Sequence, residues 1–142
     1  MLIGNFFKNI NYKYKSHYFS GLSFNSETIK KYDIFFAIKG KNNNGNKFIK
    51  KAIKKGAKTI VSNLKFVGIK NNVLFIKTKE PRKLLASISS KLYSNKSKNL
   101  IAVTGTNGKS SIADFYFQIL KLNNIKAASI GTLGIRTPLN NL

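Results

Sequence analysis

Residues 103–111 read VTGTNGKSS, joining an apolar run, LIAV, to IADFYFQIL, whose apolar residues recur at helical spacing. Two glycines, a lysine and two adjacent serines thus stand at the joint between a predicted strand and a predicted helix. A glycine-rich turn in that setting presents several backbone N–H groups at a helix N-terminus, and with the helix dipole these favour an anion. Gly105 and Gly108 let the backbone wrap closely with no Cβ in the way. Lys109 can reach the β- and γ-phosphates of a nucleotide as a point charge, and Ser110 can offer its hydroxyl to Mg²⁺. The strict pattern G-x-x-x-x-G-K-[ST] is not met, because Val103 holds the first glycine position. The shorter core G-T-N-G-K-S is complete. A plain glycine-rich turn with a surface lysine is the bland alternative.

The elements that must position this loop follow from pattern. NLIAVTG (99–105) reads as the strand before it. The helix after it runs from Ser111 to Lys121, with Ile112, Phe115, Tyr116 and Ile119 available to pack on a sheet. AASIGTLGI holds a further short strand. Upstream, Leu2, Phe6 and Ile10 lie four apart and suggest a short N-terminal helix. Ile34 to Ile38 is a compact apolar run closed by Gly40, suited to a buried strand. KNNNGN is a loop by composition. Phe48, Ala52 and Ile53 mark one side of a helix over 47–55, with Gly56 as its stop. AKTIVSN and NVLFIK (72–77) are strands. Thr78 is placed to cap the next helix, Pro81 sits in its first turn, and Leu84, Leu85, Ile88 and Leu92 form its buried stripe. SNKSK (94–98) reads as a linker. Strands alternating with helices predict α/β layers with parallel strands.

Composition bounds the rest. The chain has 142 residues and 42% hydrophobic content, enough for a core. No apolar run approaches the roughly 18–20 residues needed to span a bilayer, and the N-terminus carries no secretion pattern. A cytoplasmic protein with no membrane partner is expected. With no cysteine, one His and four acidic residues, disulfides and thiolate metal sites are excluded. The net charge of +22 favours anionic partners. However, 24 of the 26 basic residues are Lys, spread along the chain beside 18 Asn. Nucleic-acid readers favour Arg, so a diffuse lysine excess reads as compositional bias, and no specific nucleic-acid partner is expected.

V-T-G-T-N-G-K-[ST] resembles the ATP loop of the Mur ligase superfamily. The resemblance continues upstream: YDIFFAIKG, KNNNG and NKFIKKAIKKGAKTIV look like the N-terminal, UDP-binding domain of the MurE type. Glu80-Pro81-Arg82 followed by LLASISSKLY is similar to the D-P-R helix of that family, and IGTLG (130–134) to its G-T-[LV]-G segment. The match runs through roughly residues 20–139. It implies an α/β chain of two parts: residues 1–96 as a small N-terminal domain that binds the UDP precursor, and residues 97–142 as the beginning of a P-loop, parallel-sheet ATPase domain.

The site residues implied are Gly105, Thr106, Asn107, Gly108, Lys109, Ser110 and Ser111 for ATP, with Lys109 in the catalytic role of neutralising phosphate and Ser110 as the Mg²⁺ ligand. The D-S-R turn of the family reads Asn25-Ser26-Glu27 here, and Tyr32 stands where the family usually has Gly. Phe24 and Ser26, with Lys41, Asn42 and Asn43 on the following loop, fall on the UDP-precursor contact positions. The implied reaction activates a carboxylate as an acyl phosphate with ATP, and the amine of an amino acid then forms the amide. The substrate would be UDP-N-acetylmuramoyl-L-alanyl-D-glutamate, which gains its third amino acid, diaminopimelate or lysine. The resemblance also implies a larger enzyme of three domains. On that reading this chain is a truncated portion, inactive without its C-terminal portion, with residues beyond 98 packed less well than 33–93. A MurF-type or folylpolyglutamate-type ligase is the sibling alternative; a non-catalytic UDP-sugar binder or a basic nucleic-acid module is the alternative of another class.

Overall fold

The computed structural model describes residues 1–40, 43–95 and 97–137. The chain divides into two compact units, Met1–Lys96 and Ser97–Leu142.

The first unit is built on a five-stranded sheet: β1 (Leu22–Ser23), β2 (Ile34–Phe36), β3 (Thr59–Ser62), β4 (Gly68–Lys70) and β5 (Val73–Lys77), in the order β1-β2-β3-β5-β4. β1, β2, β3 and β5 run parallel, with Ile34 opposite Thr59 and Thr59 opposite Leu74, while β4 is antiparallel to β5. β2 and β3 are buried along their whole length, as central parallel strands covered on both faces must be. Alternate side chains feed two cores. Ile34, Phe36, Val61 and Leu74 join Ile3, Phe7, Phe19 and Ile88 on one face. Phe35, Ala37, Ile60 and Val73 join Ile29, Ile49, Ala52 and Ala57 on the other. Helix α2 (Pro81–Leu92) and the N-terminal segment cover the first face, and helix α1 (Ile49–Lys54) covers the second.

The local chemistry accounts for most boundaries. α1 stops at Gly56, which takes φ +112° and would set a Cβ 3.0 Å from the Cα of Lys31. α2 opens on Pro81 and buries Ile88, with Leu84 and Leu85 partly buried against the same core.

Several expectations are corrected. The N-terminal helix is absent; a 3₁₀ turn at Ile3–Asn5 and another at Tyr12–Tyr14 stand there instead. The backbone donors of this stretch go across to the next segment, from Ile3 N–H to His17 O at 2.9 Å and from Gly4 N–H to Lys15 O at 3.0 Å, so no helical ladder forms. The helix expected over 47–55 begins as a 3₁₀ turn, Gly45–Phe48, before α1. Ile49 and Ala52 face inward and Phe48 is exposed. Thr78 does not cap α2; its hydroxyl accepts the Glu80 N–H at 3.2 Å, one step before the helix. β4 was not foreseen. It is formed by a two-residue hairpin at Asn71-Asn72, with φ +50° and +58°, the signature of a type I′ turn.

The second unit holds α3 (Lys109–Leu122) and an antiparallel hairpin of β6 (Ser129–Gly131) and β7 (Gly134–Arg136). Residues 101–104 form no strand, and Leu100 and Ile101 are exposed. A strand exists through its ladder partners, and among the described residues none pairs with this run, so the parallel sheet expected here is not formed. For the same reason Ile112, Phe115, Tyr116 and Ile119 are exposed, and Phe117 is the buried side chain of α3. AASIGTLGI supplies the hairpin in place of a single strand. No helix among the described residues is long and apolar enough to cross a membrane.

Candidate functional site

Gly105 and Gly108 take φ +146° and +75°, backbone conformations that L side chains rarely adopt. A Cβ on Gly108 would meet nothing within 4 Å, so the requirement there is conformational rather than steric. Gly108 is the N-cap of α3, and no side chain caps the helix. Every residue from Gly105 to Ser111 is exposed. Lys109 folds its ammonium over the turn and donates to the carbonyl oxygens of Gly105 and Thr106, the latter at 3.0 Å.

The hairpin meets the start of α3 at two points. Ser110 Oγ lies 2.9 Å from Thr132 Oγ1. One helical turn on, Asp114 accepts from Arg136 of β7, and its other carboxylate oxygen accepts from Gln118 Nε2 at 2.8 Å. A cleft of about 20 Å³, room for one water-sized group, lies between them.

The donors here, an uncapped helix start, an ammonium on the loop and an exposed hydroxyl, are of the kind that can hold an anionic group such as a phosphate. Among the described residues no three His, Cys, Asp or Glu side chains gather to hold a metal ion. Ser110 Oγ is the exposed hydroxyl at the helix start that could ligate a Mg²⁺ brought in with a phosphate.

The other predicted site lies in the first unit. The turn carrying Phe24 and Ser26 follows β1, and the segment carrying Asn43 follows β2. Because β1 and β2 are parallel neighbours, both connections leave the carboxyl end of the sheet, where open α/β sheets take ligands. Phe24 is exposed at 67% and Ser26 is buried at 7%. The turn is set by its own side chains: Asn25 Oδ1 accepts the Glu27 N–H at 2.9 Å, and Ser23 Oγ donates to Asn25 O at 2.9 Å. Asn43 is exposed and its carbonyl accepts the Gly40 N–H at 2.8 Å. Lys41 and Asn42 lie outside the described residues.

Glu27 turns its carboxylate to α1, where Lys51 and Lys55 pair with it. The hydrogen bond from Lys51, then that from Lys55, lowers its pKa from 4.5 to about 2. A polar cavity of about 300 Å³ lies beside β1, against Ser20, Thr28, Lys30 and Asp33. The Ser20 hydroxyl there is engaged internally, with Lys31 O at 2.7 Å and Asp33 Oδ1 at 3.0 Å.

The family model described as "Mur ligase family, catalytic domain" matches residues 18–93. The chain belongs to the Mur ligase family. The match to that model falls in the first unit and stops before the 105–111 loop. A Mur ligase relative, the UDP-N-acetylmuramoyl-L-alanyl-D-glutamate–2,6-diaminopimelate ligase of Rickettsia montanensis, is 44% identical over 127 residues, covering 89% of this chain and 26% of the relative. The alignment thus spans about a quarter of that relative's length. Among solved structures, a MurF ligase from Thermotoga maritima in complex with ADP is 29% identical, with a TM-score of 0.56, covering 71% of this chain and 23% of that one. A UDP-N-acetylmuramoyl-L-alanyl-D-glutamate–2,6-diaminopimelate ligase shares the fold, with a TM-score of 0.65 at 23% identity, over 94% of this chain and 29% of that one.

Sequence reasoning did not single out Thr132, Asp114 and Arg136, nor Lys51 and Lys55. Thr132 lies inside IGTLG, a segment already picked out as family-like, which was the available signal. Lys51 and Lys55 are two among 24 lysines, and nothing in the sequence marks them.

Proposed function

We propose that this Mur ligase chain supplies the UDP-precursor side and the ATP loop of an ATP-dependent amide-bond ligase of peptidoglycan precursor synthesis. The substrate is UDP-N-acetylmuramoyl-L-alanyl-D-glutamate and the incoming amino acid is 2,6-diaminopimelate, as in the names of the Rickettsia relatives. Residues 1–96 serve the precursor and residues 97–142 the nucleotide. The reaction belongs in the cytoplasm, where UDP-sugars and ATP are made.

The observation that carries this reading is the 44% identity through 89% of the chain, spanning both the Phe24–Ser26 turn and the GTNGKSS loop. ATP, with Mg²⁺, supplies the activated phosphoryl group. The chain's own residues bind and orient it. The glycine turn presents backbone N–H groups, Lys109 moves from the loop carbonyls to a phosphate oxygen, and Ser110 ligates the cation. Phe24 offers an exposed aromatic face for the uracil, and Ser26 and Asn43 offer polar contacts at the sheet's carboxyl end. Such a site works by positioning and charge neutralisation.

Two titrations separate the halves. Calorimetry with the UDP-muramoyl dipeptide and with Mg-ATP is expected to show one site for each. In Lys109→Ala the nucleotide affinity falls by about tenfold or more, ~1.4 kcal/mol, while the UDP-precursor affinity is kept. Unchanged nucleotide affinity in that variant overturns the assignment of the loop.

A further inference from the structure

We propose that Thr132 is a positioning residue for Ser110, accepting its hydroxyl proton so that the oxygen lone pairs are left for the cation. This rests on the reading of residues 105–111 as the nucleotide loop.

A serine hydroxyl has one proton and two lone pairs. If its oxygen ligates Mg²⁺, the proton must be donated elsewhere. The usual acceptor for a serine in a helix is the carbonyl four residues back, here that of Thr106. Among the described residues Ser110 Oγ makes no hydrogen bond to that carbonyl and turns to the hairpin instead. The acceptor at hand is Thr132 Oγ1, 2.9 Å from Ser110 Oγ, where either hydroxyl can donate. Cation binding at Ser110 would fix the direction, with Ser110 donating and Thr132 accepting.

Thr132 is itself held in place. It sits at the tip of the β6–β7 hairpin, between Gly131 and Gly134, the second with φ +89°. The hairpin is fastened again by Arg136 to Asp114, and Ser110 and Asp114 share one face of α3 at i, i+4 spacing. Gln118 holds the remaining oxygen of Asp114. The hydroxyl is thus pinned from a second element, which fixes the orientation of a ligand as outer partners of metal sites do.

The test measures the affinity of the 142-residue chain for ATP by calorimetry with Mg²⁺ and with EDTA. Wild type, Thr132→Val, Thr132→Ser and Ser110→Ala are compared. Thr132 is exposed, so Val removes the acceptor with little change in packing, and the far-UV spectrum and melting curve of each variant check its fold. Thr132→Val is expected to reduce the gain in affinity from Mg²⁺ by about tenfold, towards the Ser110→Ala level, with metal-free affinity within about twofold of wild type. Thr132→Ser is expected to retain the gain. A wild-type gain in Thr132→Val alongside a reduced one in Ser110→Ala overturns the inference and leaves the nucleotide loop standing. An equal loss with and without Mg²⁺ in Thr132→Val also overturns it, since that is the mark of a merely structural contact. No ATP binding by wild type, or an undiminished gain in Ser110→Ala, overturns the loop assignment and this inference with it.

Discussion

Lys55 Nζ donates to both the backbone carbonyl and the carboxylate of Glu27, each at 2.9 Å. Lys51 binds the second carboxylate oxygen, so the turn after β1 is tied to α1 from outside the sheet. The acid of this turn takes its countercharges from the neighbouring helix.

The pH dependence of this tie has a definite sign. The folded pKa of Glu27 is about 2 against an ordinary 4.5. Its contribution to stability is therefore complete above pH 4.5 and is lost as pH falls through 2. Wild type is expected to melt above Glu27→Gln at pH 6, with the gap narrowing below pH 4.5 and closed near pH 2. All three side chains are well exposed, so the gap is small and should shrink in 0.5 M salt. A gap unaffected by pH and salt would remove the ion pairs from the explanation.

Tyr32 takes φ +68°, and its backbone is fixed on both sides, with its N–H on Gly56 O at 2.9 Å and its C=O on Ser20 N–H at 3.1 Å. A bulky side chain in the left-handed region costs about 1–2 kcal/mol, and the edge-on ring contact with Tyr18, at 5.9 Å, offsets part of it. Tyr32→Asn keeps both hydrogen bonds and suits the conformation, so its urea midpoint should match or exceed wild type. Tyr32→Val should lose about 1–2 kcal/mol relative to Asn. Equal midpoints for Asn and Val would show that the conformation exerts no cost.

Thr59 is fully buried in β3, and its hydroxyl has no hydrogen-bond partner among the described residues. Thr59→Val keeps the β-branched shape and removes the unsatisfied group, a gain of about 1 kcal/mol in urea unfolding. Its neighbour gives the contrast. Ile60 is also fully buried, and Ile60→Ala should cost about 2–5 kcal/mol. A destabilised Thr59→Val would mean that the hydroxyl is paired in solution.

The first unit is legible in the sequence where short apolar runs bounded by Gly, Asn or Pro coincide with strands, buried throughout at Ile34–Phe36 and over the first two residues of Val73–Lys77. The N-terminal segment is not, because Leu2, Phe6 and Ile10 have helical spacing while the donors of Ile3 and Gly4 are taken by a segment a dozen residues on. β4 is short and half polar, and its register is set by the turn at Asn71-Asn72 rather than by its own pattern. At the candidate sites, the loop glycines and Lys109 are readable because their chemistry demands those residue types. The partners of Glu27 and Ser110 are not, since Lys51, Lys55 and Thr132 are common residue types whose role is contact alone.

The two units should differ sharply in hydrogen exchange. Amides of β2, β3 and β5 lie between two apolar cores and open only with the unit, so their protection should approach the global value. In the second unit Phe117, still 8% exposed, is the one buried hydrophobic side chain among the described residues, while Ile112, Phe115 and Ile119 on the same helix are exposed. A 14-residue helix with so little buried against it is marginal on propensity alone. Amides of residues 109–122 are expected to exchange at least about a hundredfold faster than those of 59–62, a difference of ~2.7 kcal/mol in opening free energy at two factors of ten. Mg-ATP should slow exchange at 105–112 with little effect on β2 and β3, because bound phosphate engages the backbone N–H groups of the loop directly. Equal protection in the two units would show that the apolar face of α3 is covered in solution.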